Sequence, residues 1–576
     1  MVGFIGIRFG NTGVTGEDFH IAAKSYGQII FHDKRSSDSY IMRYVNNKFL
    51  ADKLFSENEN LFICTDGVFL NLRNQKQKNE IDDTFLLFQK LYQDYGKNFI
   101  REFKGNFSGL IIDKKLDKWH IFTDHIGSKN LFYFFDSEQN FFVFGSDLRN
   151  IVTVLRQIGY PIKFSELGAY FLLTFGFMLE DYTLIEGIKK LPPGSILTYY
   201  EDQISIENYF TLTSTPYIDD NEKIIIEKLD QLFNDAIILE YSKDLEYNYS
   251  HIATLSGGLD SRMNVMCAKK MGFNNILCST FSQNDYLDEK IAKQIASDNN
   301  MEFLFYSLNN GNFLKNIDDP VLINDGLILY SGSSHLLHNL KHINFDNLGL
   351  LHTGMIGDLI LGSYLDKKLH SEISNGHIRQ IAYSTKLIDR IPQDMLKHCS
   401  NYENSELFAF YQRCVNGVFN GYRVCEQFTE YSSPFLDKDF LQFAMKIHPK
   451  YRYNEDIYFK WILTKHPEAA RYAWEKTNLK IGANRLLILI KKYFKMGKKK
   501  LFGPRPSDSM NPEDYWIKSN PSLINDLNVY FNENLHLLNN YKQLREDAIG
   551  LYLNGSIVEK AQVLTLLSAI KMYSSD

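Results

Sequence analysis

The sequence predicts a two-part chain: an α+β half, then an α/β half built on a parallel sheet and ending in helices. Three observations carry this. Up to about residue 210, short aromatic and β-branched runs alternate with charged or glycine-containing turns, the pattern of antiparallel sheets flanked by helices. From about residue 222, apolar strands alternate with helical patterns at βαβ spacing. After about residue 365 helical texture dominates.

Met1-Val2-Gly3-Phe4-Ile5-Gly6-Ile7 reads as a first strand, because a charged leader and an apolar signal core are both missing. A helix is predicted over 84–95, with apolar Phe85, Leu86, Phe88, Leu91 and Tyr92. Further strands are Trp119-His120-Ile121-Phe122-Thr123, Leu131-Phe132-Tyr133-Phe134-Phe135 and Phe141-Phe142-Val143-Phe144-Gly145. Pro192-Pro193-Gly194-Ser195 marks a turn. The polar stretch 211–221 is the best linker, dividing the chain into domains 1–210 and 222–576. Beyond it come a helix over 222–242, a strand over 252–255 and a helix over 263–271. A strand over 276–281, a helix over 288–298 and a strand over 302–306 follow. There is no internal repeat.

Composition excludes several classes. With 576 residues, 44% hydrophobic, 14% aromatic and only 13 Pro, the chain is neither disordered nor collagen-like. A formal charge of −6 gives no basic bias toward nucleic acid. The six cysteines (Cys64, Cys267, Cys278, Cys399, Cys414, Cys425) form no C-x-x-C pair and read as free thiols of a reducing cytoplasm. No apolar run approaches the roughly 20 residues of a membrane span, so stable membrane insertion is not expected. The basic segment 491–500 reads as a solvated helix end followed by a loop, with a membrane-surface patch as the alternative.

The most informative stretch is Leu255-Ser256-Gly257-Gly258-Leu259-Asp260-Ser261, between an apolar strand and a helix. Paired glycines let backbone N–H groups approach a ligand, and the helix start adds free donors and a positive dipole end. The serines can add hydroxyl donors. Asp260 would repel a phosphate directly but suits a Mg²⁺ ligand. A chance match to S-G-G-L-D-S in this length is on the order of one in ten thousand.

This loop resembles the pyrophosphate loop of the asparagine synthetase family, which includes β-lactam synthetases and lasso-peptide cyclases. Three more stretches are similar to family elements. Thr353-Gly354-Met355-Ile356-Gly357-Asp358-Leu359-Ile360-Leu361-Gly362-Ser363-Tyr364 resembles S-G-E-G-S-D-E-L-F-G-G-Y, Ser433-Pro434-Phe435-Leu436-Asp437 resembles R-x-P-F-L-D, and Trp474-Glu475-Lys476-Thr477 lies where the family has R-x-K. In the first half, Met1–Ile7 resembles M-C-G-I-x-G-I, and Cys64-Thr65-Asp66-Gly67-Val68-Phe69-Leu70-Asn71 resembles N-G-E-I-Y-N. Asp124-His125-Ile126-Gly127-Ser128-Lys129-Asn130-Leu131-Phe132-Tyr133 resembles D-R-x-G-x-K-P-L-Y-Y, and Phe144-Gly145-Ser146-Asp147 resembles F-A-S-E.

The resemblance implies an Ntn-type glutaminase-like αββα sandwich followed by an ATP pyrophosphatase domain with an adenine-nucleotide α-hydrolase-like parallel sheet. It implies an ATP- and Mg²⁺-dependent, AMP-forming carbon–nitrogen ligase. Asp260 and Asp358 would hold the metal, and Lys476 would stabilise charge on the reacting phosphate. Leu255, Ser256, Gly257, Gly258, Asp260, Ser261, Phe281, Thr353 and Gly354 would contact the nucleotide, Phe281 lining the adenine.

Four departures qualify this. The glutaminase of the family needs a Cys at position 2, which is Val2 here, and the acid of N-G-E is Val68. In the second signature the two acids are Met355 and Leu359. The first half is therefore read as a degenerate glutaminase, and nitrogen must come from ammonia, another subunit or an amine on the substrate. Met355 accepts no proton, which leaves the base of the amine step among Glu426, Glu430 and Tyr431, none preferred. The expected partners are a carboxylate-bearing substrate and an amine or ammonia donor, with biosynthetic partner proteins and a homodimer both compatible with the family. A nucleotide-binding pseudoenzyme and an ammonia-dependent asparagine synthetase are the alternative readings.

Overall fold

The computed structural model describes all residues except 1, 17, 18, 20, 22–27, 399, 400, 485, 488, 489, 492, 495, 496, 498–508, 575 and 576. Most lysines of the basic segment, and Cys399, thus lie outside the described residues. The first 210 residues build two six-stranded antiparallel sheets. One is centred on Gly3–Arg8, flanked by Ser39–Asn46 and Phe141–Gly145. The other is centred on Gly105–Asp113 and Lys118–Thr123.

The period-2 pattern sets the layers. Phe4, Phe142 and Phe144 of one sheet share a core with Cys64, Leu110 and Trp119 of the other. The alternate residues Ile5, Ile7 and Val143 face helices Leu148–Ile158 and Glu166–Phe175. Ile63, Ile111 and Phe122 face helix Thr84–Tyr95 on the opposite side. The order is helix, sheet, sheet, helix.

The alternation after residue 222 forms a five-stranded parallel sheet. Its order is Glu302–Ser307, Ile276–Ser282, Ser250–Thr254, Leu348–His352, Tyr431–Ser432. The direction of winding reverses between Ser250–Thr254 and Leu348–His352, which opens a crevice at their C-terminal ends. Helix Leu259–Lys270 starts four residues before the predicted one, because the motif's own Leu-Asp-Ser forms its first turn. The predicted linker is tied down rather than loose. Leu212 is buried, Ser214 Oγ donates to Glu403 at 2.8 Å, and Ile218 N–H donates to Lys446 O at 2.7 Å.

The two halves share a core. The final helix Ile557–Ser574 packs into the same apolar cluster as helix Glu166–Phe175. A buried ion cluster joins them elsewhere. Lys129 Nζ lies 2.6 Å from Glu430, 3.1 Å from Glu426 and 3.6 Å from Asp66, and Lys53 Nζ lies 2.6 Å from Glu430. Asn46 donates to Glu430 at 3.2 Å, while Lys48 reaches the carbonyls of Phe345, Asp346 and Leu348. Two ammonium groups here meet three carboxyls, and the odd one is Glu426, pushed up to about 7 by burial. Glu430 is the opposite case: burial raises it, but Lys129 and Lys53 outweigh burial and hold it low. Both glutamates are thereby engaged in joining the halves.

Among the described residues no helix is long and apolar enough to cross a membrane. Cys64, Cys267, Cys278, Cys414 and Cys425 are buried free thiols.

Candidate active site

The glycine loop sits at the mouth of the crevice. Leu255 is buried, with its N–H on Ser279 O at 3.0 Å and its carbonyl accepting from the Thr280 hydroxyl, which anchors the loop to the sheet. The serines brace the turn: Ser256 N–H donates to Ser261 Oγ at 3.0 Å, and Gly258 N–H donates to Ser256 Oγ at 3.1 Å. Gly257 N–H is taken by Asp288 at 2.8 Å. Arg262 holds the back of the loop, donating to Gly257 O at 2.9 Å and to Ala473 O at 2.6 Å. No side chain caps helix Leu259–Lys270, so its first N–H groups remain as donors for an anion.

The second motif packs directly on the first. A Cβ on Gly354 would lie 2.2 Å from Ser261 N, so only glycine allows this approach. The variant Gly354→Ala is expected to push the two loops apart. If the expected nucleotide binds here, its affinity falls on the order of 10- to 100-fold, as read by calorimetry with ATP. Unchanged affinity would remove Gly354 from the site.

The approach brings three charged side chains together. Asp358 N–H donates to Asp260 Oδ2 at 3.0 Å, and Tyr458 O–H donates to Asp260 Oδ1 at 2.8 Å. Lys476 Nζ lies 3.1 Å from Asp358 Oδ2 and 3.7 Å from Glu455. Burial, then the Asp358 charge, holds the Asp260 carboxyl well above the usual range. Burial opposes the Lys476 charge, but Asp358 and Glu455 outweigh it and raise its pKa. Two carboxyls so close, one disfavoured as an anion, form a donor set that a divalent cation would suit.

The remaining predicted contacts divide. Phe281, half-buried, faces the crevice with its ring 5.3 Å from that of His335. Thr353 is buried, its hydroxyl donating to Ser432 O at 2.9 Å, so it holds strand Leu348–His352 to Tyr431–Ser432 instead. A pocket of 430 Å³ opens beside Asp358 and Phe281, walled by Met355, Leu359, Tyr364 and Arg413. A larger cavity, 520 Å³, lies around Lys190 and Gln412 and holds none of the loop residues. Its size does not outweigh the chemistry of the smaller one.

Sequence reasoning missed Asp288, Tyr458, Glu455, His335 and Arg413. None belongs to a motif, and each lies outside the matched stretches in the chain. The one local signal was the acid density after Tyr286.

Residues 54–210 match the glutamine amidotransferase domain family. Among curated proteins, asparagine synthetase 2 (glutamine-hydrolysing) of Methanocaldococcus jannaschii is 27% identical over 35% of this chain and 39% of its own length. Asparagine synthetase 3 (glutamine-hydrolysing) of Bacillus subtilis is 25% identical over 32% of this chain and 28% of its length. A corresponding protein of Acanthamoeba polyphaga mimivirus is 20% identical over 42% of both. Residues 54–210 thus carry a glutamine amidotransferase-type domain, and about a third of the chain is similar to proteins named asparagine synthetases. The matches span less than half the length of each of these relatives.

Against the asparagine synthetase family, the departures have a structural setting. Val2 is buried, and Val68 packs with Phe49, Leu70 and Leu350 in an apolar cluster that bridges the halves. Neither position carries a nucleophile or an acid. Met355 and Leu359 both line the 430 Å³ pocket, turning two acidic positions of the family signature into an apolar wall.

Proposed function

We propose that the chain is an ATP- and Mg²⁺-dependent, AMP-forming amide ligase. In this reading, residues 1–210 form a degenerate Ntn-type sandwich and residues 222–576 an ATP pyrophosphatase domain. The observation that supports it best is the convergence of Asp260, Asp358 and Lys476 beside uncapped helix N–H groups, at the crevice where the sheet reverses.

A carboxylate oxygen of the substrate forms a bond to the α-phosphorus of ATP as the bond to pyrophosphate breaks. The uncapped N–H groups at the start of helix Leu259–Lys270 hold the leaving phosphates. The Lys476 ammonium offsets charge on the α-phosphate oxygens, held in place by Asp358 and Glu455. Mg²⁺ held by Asp260 and Asp358 would neutralise the phosphate charge. An amine then displaces AMP from the acyl carbon and loses its proton.

Val2 and Val68 support an amine that the chain's own amidotransferase domain does not make: free ammonia, ammonia from another subunit or an amine on the substrate. This fits the modification of peptides, natural products or polysaccharides, in the cytoplasm. The apolar wall of Met355 and Leu359 favours a substrate with an apolar body over ammonia-dependent asparagine synthesis, whose substrate has none.

Two measurements test the reading. Pyrophosphate exchange into ATP is expected with some acid in a broad panel, and glutamate release from glutamine is expected to equal that of a Val2→Ala variant. ATP binding with no exchange for any acid would leave a nucleotide-binding pseudoenzyme. Glutamine hydrolysis above the variant's rate would restore the first domain as a glutaminase.

A further inference from the structure

The pocket beside Asp358 carries a cation, Arg413, that pairs with no carboxylate among the described residues. Arg413 lies in the π-helical segment Phe410–Val418, and a second π-helical segment, Leu359–Ser363, forms part of the facing wall. Such wide turns are rare and concentrate at functional sites. The guanidinium carbon of Arg413 stands 5.6 Å from the ring centre of Tyr383 and 5.9 Å from that of Tyr364. Among the described residues no carboxylate or carbonyl accepts a hydrogen bond from it.

The fully buried arginines behave differently. Arg452 pairs with Glu406 at 2.6 Å, Arg423 pairs with Asp325 at 2.7 Å, and Arg262 is bound by backbone carbonyls. Arg413 is half-buried and always charged, with five donors shaped for a planar anion. Two aromatic faces hold it in position while its donors stay unspent. A ligand anion would complete it.

The space between Arg413 and Asp358 is built for an apolar body. Leu336, Met355, Leu359 and Val418 line it, and Phe281 marks the end left to the nucleotide. Two glycines make the room. A Cβ on Gly332 or Gly421 would find no atom nearer than 3.8 Å, so a larger side chain at either position would project into open pocket.

We propose that this pocket takes an acid with two anionic groups on a largely apolar body, and that Arg413 seats the group that is not activated. The inference rests on the adenylating reading above: one carboxylate lies at the Asp358 end, where its oxygen bonds to the α-phosphorus and pyrophosphate departs. The other stays ionised on Arg413 and takes no part in the chemistry. Arg413 is thus a specificity-determining residue that selects diacids over monoacids of the same length.

The test uses the full chain and two readouts. The probes are α,ω-dicarboxylates from succinate to suberate and N-benzoyl-capped aspartate and glutamate, each beside its monoamide. Pyrophosphate exchange is measured with each, and binding is measured by calorimetry with Mg²⁺ and a non-hydrolysable ATP analogue. The wild type is expected to prefer at least one diacid over its monoamide by about 100-fold. Arg413→Gln should collapse that preference toward unity, and Arg413→Lys should recover only part of it. Gly421→Leu, which fills the pocket and keeps the cation, should weaken diacid and monoamide alike. Arg413-dependent preference in binding, without exchange, would sustain the pocket assignment and sink adenylation. Exchange with equal diacid and monoamide rates, or a preference that survives Arg413→Gln, would overturn the assignment while adenylation stands. Absence of binding across the whole panel would overturn it as well.

Discussion

Asp260→Asn is expected to lower pyrophosphate exchange about 1,000-fold or more while the protein stays folded. The asparagine amide keeps the size of the side chain and one acceptor for the two donors that now meet it, Tyr458 O–H and Asp358 N–H. What it removes is the negative charge that places a divalent cation against the phosphates. A thermal unfolding scan should therefore move little, while exchange disappears. Lys476→Met should show a smaller loss, about 100-fold, because the helix N–H groups still stabilise the transferring phosphate. Exchange by Asp260→Asn at the wild-type rate would remove the metal-ligand role and the proposed chemistry with it.

The second large effect concerns stability, at the buried cluster that joins the two halves. Lys129→Met would leave Glu426, Glu430 and Asp66 with only Lys53 for counter-charge, at an expected cost of about 3–5 kcal/mol. Urea unfolding should show the shift directly. Glu426→Gln is expected to act in the opposite direction, and only in one pH range. Because the Glu426 carboxyl sits at about 7 when folded, against an ordinary 4.5, its stabilisation is present below pH 4.5. It is lost as the pH rises through about 7. The amide cannot ionise, so the variant should match the wild type near pH 5 and exceed it at pH 8 by about 2–3 kcal/mol. A variant less stable than the wild type at pH 8 would mean that Glu426 is ionised there and serves Lys129 as a full partner.

Much of this was legible in advance. The period-2 runs of the first half became two antiparallel sheets because the central strands bury one face against the other sheet and one against helices. The strand–helix alternation of the second half became a parallel sheet for the reason any βαβ series does. The helix over 84–95 is found at those bounds, capped by the Asp83 side chain. Composition left out how the stretch 211–221 is held. Ser214 and the Ile218 N–H are bound by Glu403 and Lys446, more than 180 positions away.

The loop 255–261 announced itself because its signal is local: two glycines, a helix start and an acid fall within one short segment. Arg413 and His335 had no such signal. Each is an ordinary residue on a helical segment until folding turns it toward the same pocket as Phe281. Thr353 shows the converse, a residue inside a matching motif whose side chain the sheet had already claimed.

By itself the sequence determined the alternation of elements, the glycine loop and the valine at position 2, since each depends on residue type and spacing within one stretch. Only the tertiary structure decided the shape and lining of the pocket. Its apolar wall, its glycine floor and Arg413 come from separate segments, and the winding reversal of the parallel sheet opens the crevice beside which they meet.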